Sequence, residues 1–152
     1  MKLRIEVDKS MPEEIVIRCS SITDDIKLLQ DVISNVIDKD AQLVLNKDNL
    51  EYYINRNDIL FFETDSGKTA AHTDKNMYYS NYKLYELEQL LPRSFVRISK
   101  SCIINTAKVS AVNKNLAGAS EVRFLKTHKK VFVSRMYYKI FKERLDERVL
   151  KQ

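Results

Sequence analysis

Two short segments near the C-terminal end hold the residues best suited to chemistry: Phe95-Val-Arg-Ile-Ser-Lys-Ser-Cys-Ile-Ile-Asn105 and Lys130-Val-Phe-Val-Ser-Arg-Met-Tyr-Tyr-Lys-Ile-Phe141. Each sets guanidinium, ammonium and hydroxyl donors beside apolar residues that can anchor a strand. Such donors bind phosphate oxygens or the edges of bases, so the chemistry on offer is the non-covalent grip of a polyanion. A guanidinium is a planar fork that engages two acceptors together, as at guanine O6 and N7, whereas an ammonium is a movable point charge. Arg135 is therefore the first candidate for telling one sequence from another, and nucleic acid is the leading partner.

Charge gathers in the same region. The 152-residue chain carries a formal charge of only +5. Residues 1–46 and 47–92 are each net −3, while residues 93–152 hold 15 Lys and Arg against 4 Asp and Glu, a net +11. Such asymmetry favours an anionic partner, speeds association and makes affinity fall steeply with salt. Charge alone does not name the anion. A basic module that holds an acidic protein or an anionic membrane surface is the alternative reading.

Catalysis finds little support in the residue types. Cys102 could be paired with His72 or His128 as a nucleophile, yet it sits between Ser101 and Ile103-Ile104 with no activating motif, which reads as a structural cysteine. Two histidines without neighbouring cysteines or a carboxylate cluster do not make a zinc site. Two glycines, Gly67 and Gly118, do not make a phosphate-cradling loop. The expectation is no enzyme, no cofactor, no metal and no small-molecule substrate.

The elements that must position the two segments follow from periodicity. A 44% hydrophobic fraction suffices for one compact domain with a small appendage. No apolar run approaches the roughly 20 residues that span a bilayer, and Met1-Lys-Leu-Arg-Ile-Glu lacks a signal-peptide core, so a soluble cytoplasmic chain is expected. Cys19 and Cys102 match neither metal nor redox spacing, and both are expected to be reduced and buried. Leu3–Val7 and Ile15–Cys19 read as strands, and 21–38 as a helix with Ile26, Leu29, Ile33 and Val36 or Ile37 on one face. Ser21 or Thr23 is available as its cap, and Asp24 and Asp25 suit its positive start. This opening β-β-α unit spans residues 1–40.

From residue 41 to 152 the pattern becomes short strands with polar turns: Gln42–Leu45, Leu50–Ile54, Ile59–Glu63, Thr69–His72 and Met77–Tyr79. A helix over Tyr82–Leu91 places Leu84, Leu87, Leu90 and Leu91 on one face and stops at Pro92. Strands resume at Phe95, Lys108, Glu121 and Lys130. Met136–Leu150 closes the chain as a helix with Ile140, Phe141, Leu145 and Val149 at helical spacing and cations spread along the opposite face. The fold class is mainly β, α+β overall: an elongated antiparallel β core with short helices, preceded by the small β-β-α unit. Tyr52-Tyr53, Tyr78-Tyr79 and Tyr137-Tyr138 could stack on unpaired bases, but strand alternation puts one of each pair in the core. Arg97 alternates with Val96 and Ile98, which suits either a phosphate contact or plain strand surface. Lys129 and Lys130 suit either DNA or protection of a strand edge.

The order of these blocks, Asn57-Asp-Ile-Leu-Phe-Phe-Glu-Thr64, the leucine-rich helix ending at Pro92, the segment Phe95–Asn105 and Val131-Phe-Val-Ser-Arg135, resembles the LytTR DNA-binding domain of bacterial transcription regulators. The likeness runs from about Ala41 to Leu145. It implies a β core whose loops, rather than a recognition helix, enter successive major grooves of double-stranded DNA. It puts Arg135 and Lys100 at base-reading positions and Ser101, Tyr138 and Lys139 at phosphates, to which strand alternation adds Arg97 as a candidate phosphate contact. The turn Asp65, Ser66, Gly67, Lys68 corresponds to the remaining DNA-contact loop, one residue shorter than in some relatives and carrying an acid. On this reading the chain is expected to act as a homodimer or as paired monomers on direct-repeat sites, with the acidic residues 1–40 as the dimerisation or signal-input unit. The resemblance implies, on its own, a small membrane-protein antagonist. A phosphoacceptor receiver domain needs roughly 100 residues or more. With only about forty ahead of the β core, Asp24-Asp25 reads as a helix start.

Overall fold

The computed structural model describes residue 2 and residues 4–12, 14–37 and 41–149. Ten strands and three α-helices are assigned among them: α1 (Asp24–Ile37), β1 (Gln42–Lys47), β2 (Leu50–Asn55), β3 (Phe61–Asp65), β4 (Lys68–His72), β5 (Met77–Ser80), α2 (Leu84–Leu90), β6 (Phe95–Ser99), β7 (Cys102–Asn105), β8 (Val109–Asn113), β9 (Ser120–Phe124), β10 (Lys130–Val133) and α3 (Tyr138–Glu147). Seven strands form one antiparallel sheet in the order β2-β1-β5-β4-β3-β7-β6, and three form a second in the order β10-β9-β8. The mainly β fold expected from the sequence is the fold observed.

Two hairpins turn on residues with positive φ. Asp48 (51°) and Asn49 (62°) join β1 to β2, and Ser66 (51°) and Gly67 (78°) join β3 to β4. Both central residues of such a two-residue turn must be left-handed to match the twist of the strands, which explains Asp, Asn and Gly there.

The core has two parts. One lies around Phe62, Leu45, Ile59, Ile103 and Leu87, where α2 covers the large sheet. The other joins the sheets through Ile98, Ile104, Val122, Val133 and Phe141, with α3 as its cover. The sheets are also tied by hydrogen bonds: Ser134 N–H donates to the Ile98 carbonyl at 2.9 Å. Lys129 Nζ donates to the Thr73 and Asn76 carbonyls, each at 2.8 Å. Arg148 holds α3 down through the carbonyls of Thr106 (2.7 Å) and Val109 (2.6 Å).

The N-terminal region departs from expectation. Among its described residues only the helix forms, capped by Thr23, whose Oγ1 accepts from Ile26 N–H at 3.4 Å. Residues 4–7 and 15–19 are in no strand. Leu3 and residues 38–40 lie outside the described residues. The alternation read at Ile5, Val7, Ile15 and Val16 meets no second strand and no core, and all four are exposed. Cys19, expected buried, is exposed for the same reason, while Cys102 is buried in β7. The helix does reach the β core: Asp31 lies 3.5 Å from Arg93 Nε, and Arg93 also grips Glu147 of α3 at 2.6 Å.

Candidate nucleic-acid interface

The segment Phe95–Asn105 folds as a hairpin, β6 and β7, with Lys100 and Ser101 at its turn. Both side chains face solvent. The turn is held from three directions. Arg97 Nε donates to the Ser99 carbonyl at 2.9 Å and its Nη2 donates to the Lys100 carbonyl. Thr64 N–H, from the neighbouring β3, donates to the Ser101 carbonyl at 2.8 Å. Ser101 N–H in turn donates to Ser99 Oγ at 3.2 Å.

Arg135 follows β10 in the turn that leads into α3 and is exposed. The bond from Ser134 N–H to the Ile98 carbonyl ties this turn to β6, the strand that the Lys100 turn leaves. Tyr138, the first residue of α3, is half-buried against Phe141, with ring centroids 6.1 Å apart. Lys139, next along, is exposed. A shallow concavity of about 150 Å³ beside Arg135 is lined by Tyr138 and by Lys114, Asn115 and Leu116 of the β8–β9 loop. Lys114 Nζ stands 5.1 Å from the Tyr138 ring centre, a cation–π contact that fixes the loop beside the arginine. No spacing signals Lys114 or Leu116, because their approach to Arg135 depends on β-sheet pairing.

The remaining expected loop is the β3–β4 turn. Asp65, Ser66, Gly67 and Lys68 are all exposed. Ser66 Oγ donates to Asp65 Oδ1 at 3.1 Å, and Lys68 Nζ lies 5.5 Å from the Tyr79 ring centre. Because Thr64 N–H donates to the Ser101 carbonyl, this turn emerges from the same end of the sheet as Lys100. Fold and site thus bring together Lys100, Ser101 and the 65–68 turn on one sheet end, and Arg135, Tyr138 and Lys139 on a neighbouring ledge.

Not every cation belongs to this surface. Arg97, read as a phosphate contact or plain surface, has its side chain only 21% exposed and completes its fork on Glu88 of α2 at 3.1 Å. Arg144 donates to the Arg93 carbonyl at 3.2 Å, Arg148 to two more carbonyls, and Lys129 to the β4–β5 turn. These side chains serve the fold. Of the tyrosine pairs, Tyr78 is buried and packs on Tyr52 at 5.1 Å, while Tyr53 faces out, as alternation requires. Tyr137 and Tyr138 are both half-buried, because they lie in the helix start rather than in a strand.

Of the groups that could suggest catalysis, His72 and Cys102 are largely withdrawn from solvent while His128 is exposed. His72 bonds Glu63 at 2.8 Å and stacks on Phe61. Its pKa is nonetheless lowered, mainly by desolvation, with Glu63 opposing and Lys129 reinforcing the shift. Burial pushes the Cys102 thiol up to about 12, and the nearby Glu63 adds to it. A thiol so placed is not a nucleophile at neutral pH.

The arrangement defines a class: a β-core protein whose exposed cations and hydroxyls sit on turns and strand ends. Among the described residues no two helices are joined by a short turn. The family comparison agrees, for the LytTr DNA-binding domain matches residues 51–146. The chain belongs to the LytTR DNA-binding domain family. It is 30% identical over 146 residues to an uncharacterized HTH-type transcriptional regulator of Staphylococcus aureus strain NCTC 8325, covering 95% of this chain and 98% of that one. The same figures hold for a relative of that description in strain N315. Among solved structures, the LytTr DNA-binding domain of a Bacillus cereus protein described as a methyl-accepting/DNA response regulator shares the fold. It superposes with a TM-score of 0.64 at 23% identity, covering 68% of this chain and 95% of that domain.

Proposed function

We propose that this chain is a sequence-specific double-stranded-DNA-binding transcription regulator that reads successive major grooves through its turns. Arg135 reads guanine by its two-donor fork, and Lys100 reads a base edge in the neighbouring groove. Ser101, Tyr138 and Lys139 hold phosphates and set the register, and the Asp65–Lys68 turn approaches the backbone beyond. One observation carries the reading: in a LytTR-family chain, exposed Lys100 and Arg135 stand on two turns linked through β6, Lys100 directly after that strand and Arg135 next to Ser134, whose N–H donates to the Ile98 carbonyl. No catalytic step is part of this role. The protein acts in the cytoplasm, as a homodimer on direct repeats, with residues 1–40 as its dimerisation or signal-input element. Support for that element is the exposed stripe Leu28, Val32 and Val36 at four-residue spacing along α1. A small membrane-protein antagonist fits the same role as an input partner.

The test is a titration of the full-length protein against a preferred duplex and an unrelated duplex at fixed salt, with Arg135→Ala alongside. The preferred duplex should bind far more tightly, and the variant should lose that preference while keeping weak general binding. Equal binding of both duplexes by the natural protein would leave only a generic anion-binding module.

A further inference from the structure

We propose that Arg97 is a positioning residue for DNA readout: anchored by Glu88 of α2, its guanidinium fixes the Lys100–Ser101 turn and so aims the Lys100 ammonium. This rests on the base-reading role given above to Lys100. The turn contains neither Gly nor Pro, and no residue in it has positive φ. It is held by the bond from Ser101 N–H to Ser99 Oγ and by what bonds its carbonyls. All three from Ser99 to Ser101 are taken by protein donors, the first two by Arg97 and the third by Thr64 N–H. A register shift between Arg97 and Ser99 breaks the regular ladder just where the guanidinium steps in. The fork reaches two carbonyls and the Glu88 carboxylate at once, in directions a single ammonium cannot span. Glu88, with its side chain 39% exposed, also offsets the arginine charge, leaving the exposed Lys100 to present the cation of this turn. A long lysine side chain on a loose turn would read many base edges; on a fixed one it reads few. Through Glu88, α2 acts on readout without touching DNA.

The experiment uses the full-length protein and its Arg97→Lys, Glu88→Gln, Lys100→Ala and Arg97→Lys/Lys100→Ala variants. Backbone 15N relaxation reports the turn in the free protein. Affinities are measured for the duplex that the natural protein enriches from a randomised library, and for that duplex's single-base-pair variants. In Arg97→Lys, the Lys100 amide order parameter should fall from the rigid range near ~0.85 toward ~0.6. Affinity should fall about tenfold, with discrimination lost at the base pairs that Lys100→Ala also blurs. The double variant should bind no more weakly than Lys100→Ala alone, and Glu88→Gln should shift the same base pairs less. An unchanged order parameter in Arg97→Lys overturns the proposal. So do losses that add to those of Lys100→Ala equally on every duplex, which would place Arg97 at a phosphate. If Lys100→Ala itself alters neither affinity nor preference, the base-reading role of Lys100 fails and this inference fails with it.

Discussion

At the scale of single residues, function divides side chains that look alike in the sequence. Arg97 and Arg135 both sit in or just after an apolar strand, yet one fork is closed on protein acceptors and the other is open to solvent. Replacing Arg135 by Ala should cost about 1–3 kcal/mol on a preferred duplex and relax preference at one base pair, as read by competition binding. Lys139→Gln should instead weaken all duplexes alike and reduce the slope of log affinity against log salt by about 1. The cysteines offer a check on burial. With iodoacetamide at neutral pH, Cys19 should label and Cys102, its thiol pushed up to about 12, should stay protected until the chain unfolds. His72 gives a pH signature. Its folded-state pKa lies below the ordinary 6.5, so the unfolded chain binds more protons and stability falls as pH drops through 6.5 toward the lowered value. His72→Gln should remove that part of the acid-side fall in melting temperature between pH 7 and pH 5, measured against the natural protein.

At the scale of elements, much was legible and the exceptions have physical causes. The strands from Gln42 to Tyr79 and the helices behind Thr23 and before Pro92 follow from alternation, caps and stops that act within a few residues. The break in Phe95–Asn105 does not show in composition, because Lys100-Ser101 carries no turn-forming Gly, Pro or Asn. Arg97 and Thr64, one local and one 37 positions away, supply the bonds that bend it. Strands at Leu3–Val7 and Ile15–Cys19 had the right pattern but no partner to pair with, since alternation predicts a face and not the neighbour that covers it. In the site, exposure of Lys100 and Arg135 was readable. The structural duties of Arg93, Arg144 and Arg148 were not, because their acceptors lie tens of residues away. Two elements invite mutation. Phe141 is fully buried where α3 seals the second half of the core, and Phe141→Ala should destabilise by about 3–5 kcal/mol in chemical denaturation. On the proposal that α1 is the dimerisation element, Val32→Asp, on its exposed side, should shift the protein from dimer to monomer in light scattering and remove any concentration dependence of the melting temperature. An unchanged mass would remove α1 from the dimer interface.

At the scale of the molecule, the polypeptide is electrically two-sided along its length, with net −3 in residues 1–46 and net +11 in residues 93–152. The basic portion contains strands β6 to β10 and helix α3, which between them carry Lys100, Ser101, Arg135, Tyr138 and Lys139. The large sheet supplies the frame through Thr64 and brings the 65–68 turn alongside. A basic surface of this kind binds any duplex at low salt, so affinity alone says little. Sequence preference is what distinguishes groove reading from charge attraction, because donors on base edges differ between duplexes while phosphates do not. The most direct measurement is selection of fragments from a randomised duplex library by the full-length protein near physiological salt, with Arg135→Ala in parallel. Enrichment of a short motif in direct repeat, containing a guanine whose identity stops mattering in the variant, is the predicted result. Uniform recovery of all fragments by both proteins would contradict the account.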